Sequence, residues 1–264
     1  MLRDALLITV CAGLFTIGCS SVDTALDQSS TSAGAGGSGS ASTSSSTAAS
    51  TGAGGSSGDG GSAPFVLGCD AAAPATTTIS CVESYKPGPG GGHGADQLPG
   101  ILAGPPHGGG KKGGSLDVLS LGTDGEIVVG FGGNAIADGE GPDLIVFENA
   151  FWAGGNPMYP FKELAQISVS EDGATWTAFP CKQDALPYDG CAGWHPVYSN
   201  PDNDISPSDP VAAGGDVFDL ATIGVKKARF VKIVDLHNTT GSDETAGFDL
   251  DAVAVIHPVA LASE

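Results

Sequence analysis

The chain has 264 residues, of which 30 are acidic and 10 are Lys or Arg, for a formal net charge of −20. That anionic excess excludes nucleic acid and an anionic membrane surface as partners, and favours a soluble surface that attracts cations. Ser, Thr, Ala and Gly crowd the stretch before residue 64, so the globular part is about residues 64–258, enough for one β domain with a core.

Residues 1–18 read as a signal peptide: Arg3, then an apolar run from Ala5 to Gly18 that is too short to span a bilayer. Thr16-Ile17-Gly18-Cys19 resembles a bacterial lipobox, which implies export and a lipid on Cys19 as the only contact with the membrane. Residues 19–63 hold almost no large side chains. They cannot bury enough apolar surface to offset chain entropy, so a disordered tether is expected. Residues 259–264 read as a short tail.

Of the 6 cysteines, four lie beyond the tether as two close pairs, Cys69 with Cys81 and Cys181 with Cys191. In an exported chain this spacing predicts two local disulfides, and a stapled loop is expected over Phe65 to Val82. No CxxC or His-x-x-x-His spacing occurs, so zinc is not expected. Lys86 to Gly114 is rich in Gly and Pro, yet Leu98, Ile101 and Leu102 interleave it, which predicts an ordered loop. It lacks the Gly-x4-Gly-Lys-Ser/Thr pattern of a phosphate loop.

From Ser115 short β runs alternate with turn signals. SLDVLSL (115–121) and EIVVGF (126–131) flank Gly122-Thr123-Asp124-Gly125 and read as a hairpin. DLIVFE (143–148) is nearly all apolar and reads as a central strand. QISVS (166–170) and TWTAF (175–179) flank Glu171-Asp172-Gly173, a second hairpin. ARFVKIVD (228–235) is a further strand. Pro160 to Ala165 and Asp219 to Ile223 are each read as about a turn of helix. Many short strands without long helices predict an all-β sandwich or barrel.

GFDLDAVAVI (247–256) closes the set. Strict alternation would put Phe248, Leu250, Ala252 and Ala254 on one face and Asp249, Asp251, Val253 and Val255 on the other. Two carboxylates side by side need water, a proton or a cation between them. With Asp143, Glu148 and Asn149 at the ends of the central strand, Asp249 and Asp251 form a candidate calcium site, because calcium takes six to eight hard oxygens. SNPDNDISPSDP (199–210), with Asp202, Asp204, Ser206 and Asp209, reads as a turn cluster; it lacks the Gly and terminal Glu of an EF-hand.

SVSEDGATWTAF, ARFVKIVD and GFDLDAVAV resemble a discoidin-type domain of the galactose-binding-like jelly rolls. The last strand also resembles that of calcium-containing carbohydrate-binding modules, which implies Asp251 as the carried-over calcium ligand. More closely, ADQLPGILAGPP, SLDVLSLG, GEGPDLIVFENAF, CAGWHPV, GGDVFDLATIG and GFDLDAVAV resemble a family of bacterial cell-surface lipoproteins across nearly all of 85–257. That family implies no established activity.

Trp152, Trp194, His195 and Tyr198 are the candidate ligand-binding residues, since flat aromatic rings stack on the apolar faces of sugars. Trp176 is expected in the core. No Gly-x-Ser-x-Gly elbow occurs, and no Ser or Cys is evidently paired with His195, His237 or His257. Glu140 and Asp143 are an example of a carboxylate pair that imitates a glycosidase's, in a chain acidic enough for such pairs to arise by chance. The expectation is therefore a non-catalytic surface module with structural calcium, its partner an extracellular polysaccharide or a surface protein. A surface polysaccharide hydrolase and a purely structural envelope protein are the alternatives.

Overall fold

The computed structural model describes residues 68–237 and 247–262, all within one compact unit, Ser57–Glu264. The signal peptide, Cys19 and the tether lie outside the described residues. In chain order the strands are β1 (Cys81–Lys86), β2 (Leu119–Ser120), β3 (Glu126–Gly130), β4 (Asn134–Ala137), β5 (Leu144–Glu148), β6 (Phe151–Trp152), β7 (Pro160–Phe161) and β8 (Ala165–Ser170). They continue with β9 (Thr177–Ala178), β10 (Cys191–Ala192), β11 (Asp216–Phe218), β12 (Lys227–Ala228), β13 (Phe230–Asp235), β14 (Asp249–Val255) and β15 (Pro258–Ala260). Among the described residues the only helical segments are short 3-10 turns.

The strands form a β-sandwich. One main sheet runs β1-β3-β13-β8-β10 with β9 added on β8, the other main sheet runs β11-β5-β14-β2, and two small sheets, β12-β4-β15 and β6-β7, complete the set. All pairings are antiparallel. The main core lies between the two main sheets. Ile127 and Val129 of β3, Ile167 and Val169 of β8, and Val231 and Ile233 of β13 face Leu144 and Val146 of β5 and Leu250, Val253 and Val255 of β14. Strand β5 is covered on both faces, because Ile145 and Phe147 pack outward with Val197, Ala213, Ala252 and Ala254. That double burial is why its sequence is a continuous apolar run instead of an alternating one.

Both disulfides form. Cys69 pairs with Cys81 and Cys181 with Cys191, at Cα–Cα distances of 5.3 and 4.6 Å. Such bonds belong to an oxidising compartment, outside the cell or in its envelope. No helix among the described residues is long and apolar enough to cross a membrane.

Several local expectations change. The 122–125 turn does not close a hairpin. Strand β2 pairs with β14, while β3 pairs with β1 and β13, so the turn carries the chain from one sheet to the other. Cys81 and Val82, at the end of the expected stapled loop, open an edge strand that runs to Lys86. Asp219 to Ile223 does form a 3-10 turn, capped by Asp219, but 160–165 enters β7 and β8. Val259 and Ala260, read as tail, pair with Ala135 and Asn134 in β15. Trp176 is half-buried, with the Lys232 ammonium 4.4 Å above its ring.

The Gly-rich loop is ordered by close backbone approach. A Cβ at Gly108 would lie 2.3 Å from the carbonyl oxygen of Val197, and one at Gly88 would lie 1.8 Å from that of Thr123. Leu102 from the same loop is in the main core, with Ala95, Leu98 and Ile101 packed against it.

Candidate functional site

The structure divides the five carboxylate and amide residues expected to share one calcium: Glu148, Asn149 and Asp249 stay together, while Asp143 and Asp251 lie apart from them. Strand β14 carries a bulge: Leu250 pairs with Glu148 and Ala252 with Phe147, so Asp251 is the extra residue. The bulge reverses the alternation beyond it. Val253 and Val255 join Leu250 in the main core, while Ala252 and Ala254 face outward. Asp249 gathers with Glu148 and Glu163 while Asp251 does not, so the two aspartates take different partners. Asp251 is buried beneath the Gly-rich loop, where both its oxygens accept the His107 backbone N–H at 2.9 and 3.1 Å. Burial outweighs that bond and pushes its carboxyl up to about 7.

Asp143 sits at the other end of β5. It accepts the backbone N–H of Gly139 and of Leu220 at 2.7 Å and the Nδ1 of His257 at 2.8 Å. Asp138 and Asp219 lie near enough to share a cation with it, but every one of the three already has hydrogen-bond or ion-pair partners of its own. Asp138 pairs with Lys226, and Asp219 caps the following turn. Glu140 is exposed while Asp143 is wholly buried, so the two do not flank a common cleft. Asp209 is likewise spent on the backbone N–H groups of Val211 and Ala212.

Glu148 and Asp249 stay together, and Glu163 joins them. One carboxylate oxygen from each lies within 4.8 Å of the others. Glu148 is 1% exposed and Glu163 3%. Asn149 turns its amide NH2 toward this group, donating to Asp249 at 3.2 Å. Burial, then the negative charges of Glu163 and Asp249, hold the Glu148 carboxyl well above the ordinary range. Burial and Asp249 push Glu163 up to about 8, and burial raises Asp249 as well. Glu163 escaped the sequence reading. It lies in FKELAQ, which carries no strand alternation, and only the chain's return into β8 sets it opposite Glu148.

The four predicted ligand-binding residues do converge. Trp152, Trp194, His195 and Tyr198 line one cleft of about 440 Å³, with Tyr188, Asp189, Val211 and Asp216 among its other walls. The segments that build it follow β5 and β10 and precede β11. The Cys181–Cys191 disulfide staples the loop that carries Tyr188, whose ring stands edge-on to Trp194 at 5.8 Å. Trp194 and His195 lie ring against ring at 3.5 Å. The Lys111 ammonium sits 5.5 Å from the Trp152 ring, and Lys162 4.8 Å from that of Tyr188.

The polar anchor of this cleft is Asp216, on β11. One oxygen accepts the backbone N–H groups of Gly193 (2.7 Å) and Trp194 (3.2 Å); the other meets His195 Nδ1 at 2.7 Å. A carboxylate only accepts, so Nδ1 carries a proton, and in the neutral ring Nε2 keeps its lone pair for solvent or a ligand. Gly193 is required here. Its φ is +93°, and a Cβ would lie 1.9 Å from the carbonyl oxygen of Glu163. The sequence located the cleft through its aromatic residues but did not single out Asp216 as their organiser.

No protein-family model matches the chain, and no curated protein does. Among solved structures it is similar to the C-terminal domain of a chitobiase from Bacteroides fragilis, at 16% identity and a TM-score of 0.26. That alignment covers 52% of this chain and 65% of the other, less than two thirds of its length. A likeness of that degree carries no argument about what either cleft or carboxylates bind.

Proposed function

We propose that the protein is an exported, lipid-anchored, non-catalytic binding module that takes extracellular carbohydrate in the Trp152–Trp194–Tyr198 cleft. The observation that carries this reading is the convergence of those aromatic side chains with His195 on one open cleft of about 440 Å³. Aromatic faces stack on the C–H faces of a sugar ring, while His195 Nε2 and the Asp189 carboxylate answer its hydroxyls. The disulfides fit an exported chain, and a lipid on Cys19 would hold the domain at the cell envelope on its tether. A bound calcium ion at the Glu148 end of the sandwich belongs to the same reading.

A glycan array probed with the full-length protein tests it. A small open cleft predicts dissociation constants of roughly micromolar to millimolar. Trp194→Ala should weaken binding about tenfold or more, while leaving the fold intact because the indole is only half-buried. Binding that survives this change removes the cleft from the reading. Capture of a surface protein and no glycan would replace carbohydrate with a protein partner. Release of reducing ends from a polysaccharide, lost in His195→Ala, would replace the binding module with a hydrolase.

A further inference from the structure

We propose that Glu148, Glu163 and Asp249 form a site for one hard divalent cation of the calcium class, closing the sandwich behind the aromatic cleft. The proposal deepens the calcium part of the functional reading by naming its ligands, and it does not depend on what the cleft binds.

The decisive observation is Glu148. Its side chain is 1% exposed, and among the described residues neither of its oxygens has a hydrogen-bond partner. Asp249 Oδ1 is buried and without a partner too. A buried carboxylate without a donor is costly, and the other buried aspartates of this fold avoid that cost. Asp143, Asp216 and Asp251 accept backbone N–H groups, and Asp235 accepts those of Asp124, His237 and Phe248. Glu148 is met by more acid: the charges acting on it are those of Glu163, Asp249 and Asp216. The backbone N–H of Asn149 eases its charge only weakly, short of a hydrogen bond. Three carboxylates gathered at one point need a proton or a cation between them, and a cation answers all three at once.

The donor set suits calcium. The three oxygens lie within 4.8 Å of one another. Calcium–oxygen bonds of about 2.3–2.6 Å let one ion touch oxygens up to roughly 5 Å apart without moving a strand. Magnesium demands a near-ideal octahedron and is usually held by one or two carboxylates with several waters, so a buried group of three carboxylates suits calcium better. No His or Cys belongs to the group, which disfavours zinc. Water and backbone oxygens would complete the shell. The site lies next to the cleft wall, because the Glu163 N–H donates to the Gly193 carbonyl at 3.2 Å, one residue before Trp194.

The test uses purified full-length protein stripped with chelator, then titrated calorimetrically and melted with calcium or magnesium alone. Calcium should bind at one ion per chain and raise the melting temperature by several degrees, through preferential binding to the folded state. Glu163→Gln and Asp249→Asn should each weaken calcium about tenfold or more, while Asp251→Asn leaves it unchanged. Glu148→Gln should melt above wild type in chelator, because a buried neutral amide costs less than a buried acid beside Glu163 and Asp249, and should not respond to calcium. If Glu148→Gln does not fold, Glu163→Gln and Asp249→Asn decide alone. Folded wild type that gives no heat and no shift at about 10 mM calcium overturns the site. So does loss of calcium in Asp251→Asn with retention in Glu163→Gln. An equal response to magnesium overturns the calcium assignment. Glycan binding measured separately on the same stripped protein keeps failure of this site distinct from failure of the cleft.

Discussion

Asp216 is where folding and recognition meet, and two substitutions separate them. Asp216→Ala removes three hydrogen bonds at once and leaves the buried N–H of Gly193 and the half-buried N–H of Trp194 without partners. Each buried donor left unpaired costs about 1–3 kcal/mol, so the loss is roughly 3 kcal/mol. For a domain of this size that lowers the melting temperature by about 6–12 °C. Asp216→Asn behaves differently. Its amide oxygen still accepts the two backbone N–H groups, at the weaker strength of neutral bonds, so the loss falls to roughly 1–2 kcal/mol. Its NH2 now faces His195 Nδ1, which must become the acceptor and pass the proton to Nε2. The cleft then presents a donor where it had presented an acceptor. Thermal melts followed by circular dichroism, with glycan titration on the same samples, read both effects. Asp216→Ala should melt well below Asp216→Asn, while both lose ligand. If Asp216→Ala melts within about 1 °C of wild type, those N–H groups find other partners and Asp216 does not organise the loop.

Other outcomes are as definite. Replacing Cys69 and Cys81 together by Ser should cost about 3 kcal/mol, since the bond spans a sequence separation of 12, and should leave the cleft's affinity unchanged. Opening Cys181–Cys191 in the same way should weaken ligand binding as well as stability, because that loop carries Tyr188; equal affinity in the folded double variant would refute its role as a staple. Gly193→Ala should be among the most damaging single changes, with a left-handed φ and an overlap on a backbone carbonyl to relieve; a melt like that of wild type would refute the close approach. The Asp172 carboxyl is held down to about 2, first by the Thr175 and Ala174 N–H groups. Its folded value lies below its unfolded one, so its contribution is present above about pH 4 and fades as pH falls toward 2. The melting difference between wild type and Asp172→Ala should close over that window, and a difference that persists at pH 2 would count against the turn assignment.

The sandwich was legible because its strands carry their own marks. The apolar run of β5, the Asp-Gly turn before Trp176 and the alternation of β13 each state what the strand does. Pairing partners were less legible. Gly122 to Gly125 has hairpin chemistry, but β2 finds β14 and β3 finds β1, because a turn residue fixes local backbone and not which sheet receives the next strand. The carboxylates failed for a different reason. The alternation of 247–256 is sound up to Leu250, and nothing in the sequence marks the extra residue at Asp251 that inverts it. Glu163 could not be found from its neighbours at all, since its partners arrive from β5 and β14. The cleft was legible because Trp194, His195 and Tyr198 lie close in sequence and Trp152 follows the central strand directly.

The cleft's rim has an evolutionary consequence. Tyr188, Asp189, Pro210 and Val211 line it from loops, and none of them belongs to either apolar core. Val211 is 91% exposed. Selection can therefore vary these positions with little penalty to the sandwich, while Gly193, Cys191 and Asp216 behind them must stay fixed. A lineage of such domains would diversify what it grips through a handful of surface residues, and a laboratory library confined to the same positions should yield folded proteins with new preferences.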